Sequence, residues 1–449
     1  MTDLDHRYAT RSVPRYTSYP TAPHFHAGVT GATYGDWLAA LAPSNALSLY
    51  LHVPFCRNIC TYCGCHTKAA RKDGPLHDYA ETLLSEIDLV AARLGSGRPV
   101  THIHWGGGTP SLMPREPFLA ITAALRRHFD IGDACEHAIE LDPRTVTPEL
   151  AETLREAGIT RASLGVQDFD LTVQKAIGRV QPFSQVARAV DRLRAVGITQ
   201  INFDLMYGLP HQDVDTIAET VRLTRELAPG RIALFGYAHV PWMKKHQRLI
   251  DETALPDTRA RLAMADFARR ELVDAGYEAI GLDHFALPTD SMALALRAGT
   301  LRRNFQGYTT DTADTLIGFG CSSIGRLPQG HVQNMSDTGG WSRAVRDGLL
   351  PVARGFALSN EDRARAAIIE RLMTGHMADL AEIARAHGFA EEHFAGDLVS
   401  LEEMIDDGLV EVSGSRVTIT EPGQQYARVA AAAFDAYLER GTARHSLAV

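Results

Sequence analysis

Four cysteines lie within ten residues, Cys56, Cys60, Cys63 and Cys65, and the first three have the spacing C-x3-C-x2-C. Thiolates are the ligands of iron–sulfur clusters. Three of them satisfy three irons of a [4Fe-4S] cube and leave the fourth open to a small molecule with nitrogen and oxygen donors, much as a catalytic zinc keeps one position free. A structural four-cysteine zinc site would need Cys65 as well, but Cys63 and Cys65 are only two apart, whereas zinc sites assemble from two separated pairs. A chance gathering of buried thiols would have to place four of the six cysteines on one short loop. The spacing therefore reads as a cluster with an open iron, held by Cys56, Cys60 and Cys63.

Further polar groups recur at regular intervals. His104 and Trp105 precede Gly106, Gly107, Gly108 and Thr109; three residues without Cβ let backbone approach a ligand closely. Glu140 and Asp142 set carboxylates among apolar neighbours, which is costly unless they are paired or ligand-bound. Gln167 and Asp168, then Arg179, Asp204, and the run from Tyr237 through Ala238 to His239 follow.

These residues need elements to hold them. Nearly continuous apolar runs occur at 47–53, 100–105, 138–141, 162–166, 201–206 and 232–235. Amphipathic helices alternate with them; positions 76, 80, 83, 84, 87, 91 and 94 share one apolar face, as do 186, 189, 190, 193 and 196. Helices ending near Gly158, Gly197, Gly230 and Gly276 precede four strands, and glycine suits the left-handed residue that closes a helix. Continuous strands alternating with helices indicate a parallel sheet covered by helices. The expected fold is α/β: a partial (β/α)6 TIM-like barrel with a small, mostly helical C-terminal domain. In such barrels chemistry sits at the C-terminal strand ends, where the polar residues above fall. The chain divides into an N-terminal segment at 1–45, the barrel at 46–290, an extension at 291–358 and an accessory domain at 359–449. In the last, helices at 362–373, 377–387 and 397–407 precede a hairpin of 408–412 and 416–420, and a last helix covers 424–438. The order is winged-helix-like, but the segment is rich in Glu and Asp and lacks a basic recognition helix, so a structural or substrate-covering role is expected.

Composition bounds the partners. The 449 residues are 45% hydrophobic and 22% charged with a net charge of −9, which argues against nucleic acid as the main partner. No run reaches the roughly 18 apolar residues of a membrane span, and the first residues contain no apolar signal-peptide core. A cytoplasmic protein is expected.

The pattern C-x3-C-x-aromatic-C after a first strand, with Tyr62 as the aromatic, resembles the signature of the radical S-adenosylmethionine superfamily. Within it the chain resembles the oxygen-independent coproporphyrinogen III oxidases (dehydrogenases) of heme biosynthesis, nearly end to end. The segments PRYTSYPT (14–21), the extra Cys65, HWGGGTP (104–110), GVQDF (165–169), YGLP (207–210), YAH (237–239) and RNFQGYTT (303–310) carry the resemblance. It implies that Cys56, Cys60 and Cys63 bind the [4Fe-4S] cluster. It implies that Tyr50, Tyr62, Gly107, Glu140 and Ile324 contact a first S-adenosylmethionine. Gly108, Thr109, Gln167, Arg179, Asp204 and Ala238 would contact a second, with Arg179 placed to pair its carboxylate.

The implied reaction is radical oxidative decarboxylation of two propionates of coproporphyrinogen III to vinyls, giving protoporphyrinogen IX. A 5′-deoxyadenosyl radical takes each propionate β-hydrogen. An electron donor is implied as partner, and a monomer is expected. The substrate's four carboxylates call for cations. Arg15, Lys244, Lys245, Arg302 and Arg303 lie near matched segments, each read first as a solvated surface charge. The rival readings are a radical heme-modifying methyltransferase, a non-enzymatic heme-binding chaperone and a DNA-binding redox sensor. The chaperone group usually lacks PRYTSYPT, Cys65 and the RNFQGYTT block, and all three are present.

Overall fold

The computed structural model describes residues 7–438. Six parallel strands form where apolar runs predict them: β1 (Leu47–Val53), β2 (Arg98–Gly107), β3 (Glu136–Leu141), β4 (Arg161–Gln167), β5 (Gln200–Tyr207) and β6 (Arg231–Gly236). They pair in chain order, each beside the next. Every residue of β1 is buried, as expected of a strand covered on both faces. The helix Gly74–Leu94 buries Leu76, Ala80, Leu83, Ile87, Ala91 and Leu94, the stripe its spacing predicts except for Leu84, which is half-buried.

The sheet extends further than six strands. A seventh parallel strand, β7 (Thr315–Phe319), pairs with the other edge of β1. It is followed by antiparallel β8 (Ile324–Leu327), β9 (Gly330–Asn334) and β10 (Val352–Ala357). At the far edge β6 pairs antiparallel with His284–Ala286. The strand order runs open from one edge to the other, so the sheet is an incomplete barrel.

Helix ends depart from expectation at one position. Pro148–Ala157 closes on Gly158 at φ 81°, but Val214–Leu227 closes on Ala228, left-handed at φ 47°, not on Gly230. Pro229 cannot continue a helix and disfavours the α conformation in the residue before it, so the chain turns two residues earlier than Gly230.

The C-terminal part differs more. The helix expected at 377–387 begins instead as a strand, Met377–Asp379, which pairs with Arg416–Ile419 beside Val410–Ser413; only Leu380–Ala386 is helical. The segment at 397–407 is a 3-10 turn, Ala395–Leu401, and a short helix, Glu402–Asp406. The last helix shrinks to Ala427–Ala432 behind the turn Gln424–Tyr426. The N-terminal segment packs here: Tyr8, Val13, Tyr16 and Tyr19 join Ala364, Ile368, Leu372, Tyr426 and Phe434 in a second core. Tyr8 Oη donates to Asp407 Oδ2 at 2.5 Å and Tyr16 Oη to Asp435 Oδ2 at 3.0 Å.

Candidate active site

The cysteine loop leaves the C-terminal end of β1 and is fastened mostly through its backbone. Lys68 N donates to Pro54 O and Ala70 N to Cys56 O, both at 2.9 Å, closing the loop on itself. Thr61 N reaches Ile177 O at 3.0 Å. Gln247 Nε2 donates to Tyr62 O at 2.8 Å, His246 Nε2 lies 2.6 Å from Cys63 O, and Lys244 Nζ donates to Cys65 O at 2.9 Å. The thiols are thereby left facing a cavity of about 140 Å3, whose wall also carries Tyr62, Gly107, Gly108, Thr109, Glu140, Gln167, Arg179 and Asp204.

The sulfur environments suit metal-bound thiolates. Arg179 Nη1 is 3.6 Å and Arg144 Nη2 4.0 Å from Cys60 Sγ. Both guanidiniums also hold Asp142, Arg144 at 2.7 Å and Arg179 at 3.3 Å. Burial opposes ionisation of Asp142, yet the two arginines keep its carboxyl below the usual carboxylate range. A hydrogen bond from the Cys65 thiol, with the Cys65 N–H 3.4 Å from Cys63 Sγ, pulls Cys63 down to about 6 against burial. Burial pushes Cys56 up, moderated by Thr109 and Thr67 hydroxyls at 3.5 and 3.2 Å. Among the described residues no group of three His, Cys, Asp or Glu side chains is arranged to hold a single metal ion; the three thiols are distributed along one cavity wall. Three thiols, two of them with charge-stabilising neighbours, are a donor set that fits an iron–sulfur cluster.

The glycine turn serves packing first. A Cβ on Gly107, at φ 112°, would stand 2.6 Å from the His52 ring; on Gly108, 2.5 Å from Phe55 O; on Gly106, 2.8 Å from Glu140 Oε1. The three glycines let the end of β2 press against β1 and its loop, and Gly107 N donates to Glu140 Oε2 at 3.2 Å. Glu140 is also held by His104 Nε2 at 3.2 Å. Tyr50 lies beneath it, with His104 stacked at 6.0 Å and Phe305 edge-on at 5.2 Å, so the 303–310 block reaches the site. His52 Nε2 faces His66 O at 3.1 Å and therefore carries the proton, leaving Nδ1 to accept from Tyr50 Oη at 3.0 Å. Burial lowers the His52 pKa to about 4.

Gln167 sits in the left-handed region at φ 68°, where β4 and β5 slip register. Strain of this kind in a non-glycine residue concentrates at functional sites. Ser163 Oγ donates to both Asp204 oxygens at 3.2 and 3.1 Å; burial, then the Glu140 carboxylate, push Asp204 up to about 6.

Tyr50, Ala238 and Ile324 are not on this wall. Ala238 lines a second, larger cavity, though its carbonyl accepts at 3.3 Å from the same Gln247 amide that reaches Tyr62. Ile324 opens β8, and its carbonyl would stand 2.8 Å from a Cβ on Gly318, the register partner of Tyr50. Of the cations near matched segments, Arg15 and Arg303 line the larger cavity. Lys244 is spent on the cysteine loop, Arg302 on Glu370 at 3.1 Å and Asp314 at 3.4 Å, and Lys245 is exposed. Arg144, His246 and Gln247 are functional neighbours that sequence reasoning missed. Only the closeness of Arg144 to Asp142 signalled any of them.

The radical SAM superfamily model matches residues 50–224, and the HemN C-terminal domain model matches residues 358–426. The oxygen-independent coproporphyrinogen III oxidase of Bradyrhizobium diazoefficiens is 50% identical over 447 residues, covering 100% of this chain and 99% of the relative. That of Pseudomonas aeruginosa is 38% identical over 443 residues, covering 97% and 95%. The solved structure described as coproporphyrinogen III oxidase (HemN) from Escherichia coli, a radical SAM enzyme, superimposes with a TM-score of 0.91 at 34% identity, covering 95% of this chain and 100% of that one.

An open parallel sheet with three thiols at the end of its first strand thus defines a radical S-adenosylmethionine enzyme, an oxidoreductase using a [4Fe-4S] cluster and S-adenosylmethionine. Within that class the chain belongs to the family of oxygen-independent coproporphyrinogen III oxidases. Among the described residues no helix is long and apolar enough to cross a membrane.

Proposed function

We propose that this chain converts coproporphyrinogen III to protoporphyrinogen IX by oxidative decarboxylation of two propionates. The observation that carries the proposal is one cavity that gathers three thiols and eight motif residues, in a chain matched end to end by named oxidases. When bound, the cluster and S-adenosylmethionine supply a 5′-deoxyadenosyl radical able to take a hydrogen atom. Each propionate loses a β-hydrogen atom, carbon dioxide and one electron, leaving a vinyl group.

The chain's residues prepare this. Cys56, Cys60 and Cys63 hold the cluster, with Arg179 and Arg144 compensating charge at Cys60. Tyr62 packs against Val173, Ile177, Leu209 and Tyr237 and so gives the loop an apolar footing. Glu140, fixed by His104 and Gly107 N, offers a carboxylate for hydroxyl groups of a first S-adenosylmethionine, with Tyr50 beneath it. Gly108, Thr109, Gln167, Arg179 and Asp204 form the wall for a second. Ile324 and Ala238 lie off that wall, and their contacts rest on the resemblance alone. Residues 46–358 carry the cofactors, and 359–449 with the N-terminal segment cover the substrate. The protein acts as a cytoplasmic monomer fed by a separate electron donor.

The test is anaerobic turnover of the cluster-loaded protein with S-adenosylmethionine and a reductant. The expected result is two vinyl groups and two carbon dioxide molecules per porphyrinogen. Cluster-loaded protein that cleaves S-adenosylmethionine yet forms no vinyl product would overturn the proposal.

A further inference from the structure

A cavity of about 740 Å3 lies beside the cysteine loop, lined at its base by the ends of β5 and β6. Its size falls within the ~300–1,000 Å3 of small-molecule sites. Five arginines from four segments distant in sequence line it: Arg15, Arg261 and Arg269 of the helix Thr258–Asp274, Arg303, and Arg428. We propose that this array binds the carboxylates of the tetrapyrrole substrate, with Arg261 and Arg303 as its principal contacts. The inference rests on the function proposed above and names residues for its substrate.

Arg15, Arg261, Arg269 and Arg303 are held by neutral groups. Arg15 Nη2 is 3.4 Å from Gly236 O, Arg269 Nη2 donates to Gln424 Oε1 at 3.1 Å, and Arg261 lies 5.6 Å over the Tyr207 ring. Arg303 is 9% exposed. Its Nη2 reaches Arg15 O at 3.2 Å and its guanidinium stacks 4.4 Å over Tyr308, while Nε and Nη1 are buried with no hydrogen-bond partner among the described residues. Buried donors without partners are costly unless a ligand completes them.

Four carboxylates share the lining, and two are engaged elsewhere. Asp257 caps its helix at Ala260 N, 2.8 Å, and Asp266 pairs with Arg270 at 3.0 Å; Asp283 holds His284 at 2.7 Å and, kept ionised also by Arg303 and Arg15, offsets part of the array's charge. Glu421 is the fourth. Burial, then Arg15, lower the pKa of Arg428 to about 10, and burial and Arg15 both lower that of Arg261. The cations thus repel one another, and an arriving polyanion would relieve that repulsion.

Two sequence features make room for the array. A Cβ on Gly208, at φ 82°, would collide with the Arg261 guanidinium, and one on Gly236 would lie 2.9 Å from Tyr207 Oη and 3.2 Å from Arg261 Nη2. Leu234, Phe235, Leu255 and Phe285 supply apolar walls for a macrocycle. The Gln247 amide, bonded to both Ala238 O and Tyr62 O, joins this cavity's rim to the cysteine loop.

The test uses cluster-loaded protein and two stable porphyrins, coproporphyrin III with four carboxylates and protoporphyrin IX with two, titrated by absorbance. Arg261→Gln and Arg303→Gln should each weaken coproporphyrin binding by about tenfold or more, as loss of a charge-assisted contact does. They should narrow its preference over protoporphyrin and raise KM for coproporphyrinogen in parallel, with iron content and S-adenosylmethionine binding unchanged. Arg261, half-buried on a helix, keeps the test open should the Arg303 variant not fold. If the parent protein turns over substrate and the variants bind coproporphyrin as the parent does, the carboxylates bind elsewhere and the inference falls. If the variants lose tetracarboxylate binding but the parent forms no vinyl product, the array stands and the proposed function falls.

Discussion

Cys60 faces two guanidiniums, and its ligand role is the most exposed to test by a single atom. Cys60→Ser is expected to abolish the visible absorption of the cluster and most of the bound iron, with the far-ultraviolet circular dichroism unchanged. Iron content equal to the parent's would remove Cys60 from the ligand set. The thiol spacing was legible in the sequence because all three ligands sit on one short loop. The partnership of Arg179 with Asp142 and Cys60 was not: Arg179 lies 37 residues from Asp142 and 119 from Cys60, and only the side-by-side pairing of strands β1 to β4 brings the three together. The same holds for Arg261 and Arg303, whose shared cavity no local pattern announces. The glycine turn shows the opposite case, a motif legible as a unit whose first physical demand is close packing of β2 on β1.

At the level of elements, strands β1 to β6 could be read because burial on both faces makes them continuous apolar runs. β7 escaped because it is five residues long, contains a glycine and follows a stretch of short irregular elements. A buried polar knot locks it in place. Glu86, on Gly74–Leu94, accepts from Gly320 N at 2.7 Å, Asn334 Nδ2 at 2.6 Å and Trp341 Nε1 at 3.2 Å. Burial raises its carboxyl from 4.5 to about 7 despite these donors. The folded-state value lies above the unfolded one, so the contribution to stability is complete below pH 4.5 and is lost as pH rises through 7. The loss is on the order of 3 kcal/mol. Urea midpoints measured from pH 4.5 to 7.5 should therefore show a fall that Glu86→Gln removes; an identical pH profile in the variant would show that Glu86 ionises normally.

Across the whole molecule, the N-terminal segment and the C-terminal domain form one unit that borders the larger cavity. Neither pattern nor propensity predicted this, because the contact joins the two ends of the chain. Tyr16, next to Arg15 in the chain, is 4% exposed and bonds Asp435. Tyr16→Ala should cost about 3–5 kcal/mol, as large-to-small core changes do, and weaken coproporphyrin binding, with cluster content retained. Parent-like stability to urea would show that this contact does not hold the unit together.

The proposed function stands on one step, removal of hydrogen from the propionate β-carbons of coproporphyrinogen III. The most direct measurement is turnover of substrate deuterated at those carbons, with mass analysis of the 5′-deoxyadenosine released. One deuterium in each 5′-deoxyadenosine formed, together with vinyl product, is the predicted result. Unlabelled 5′-deoxyadenosine accompanying vinyl formation would contradict it.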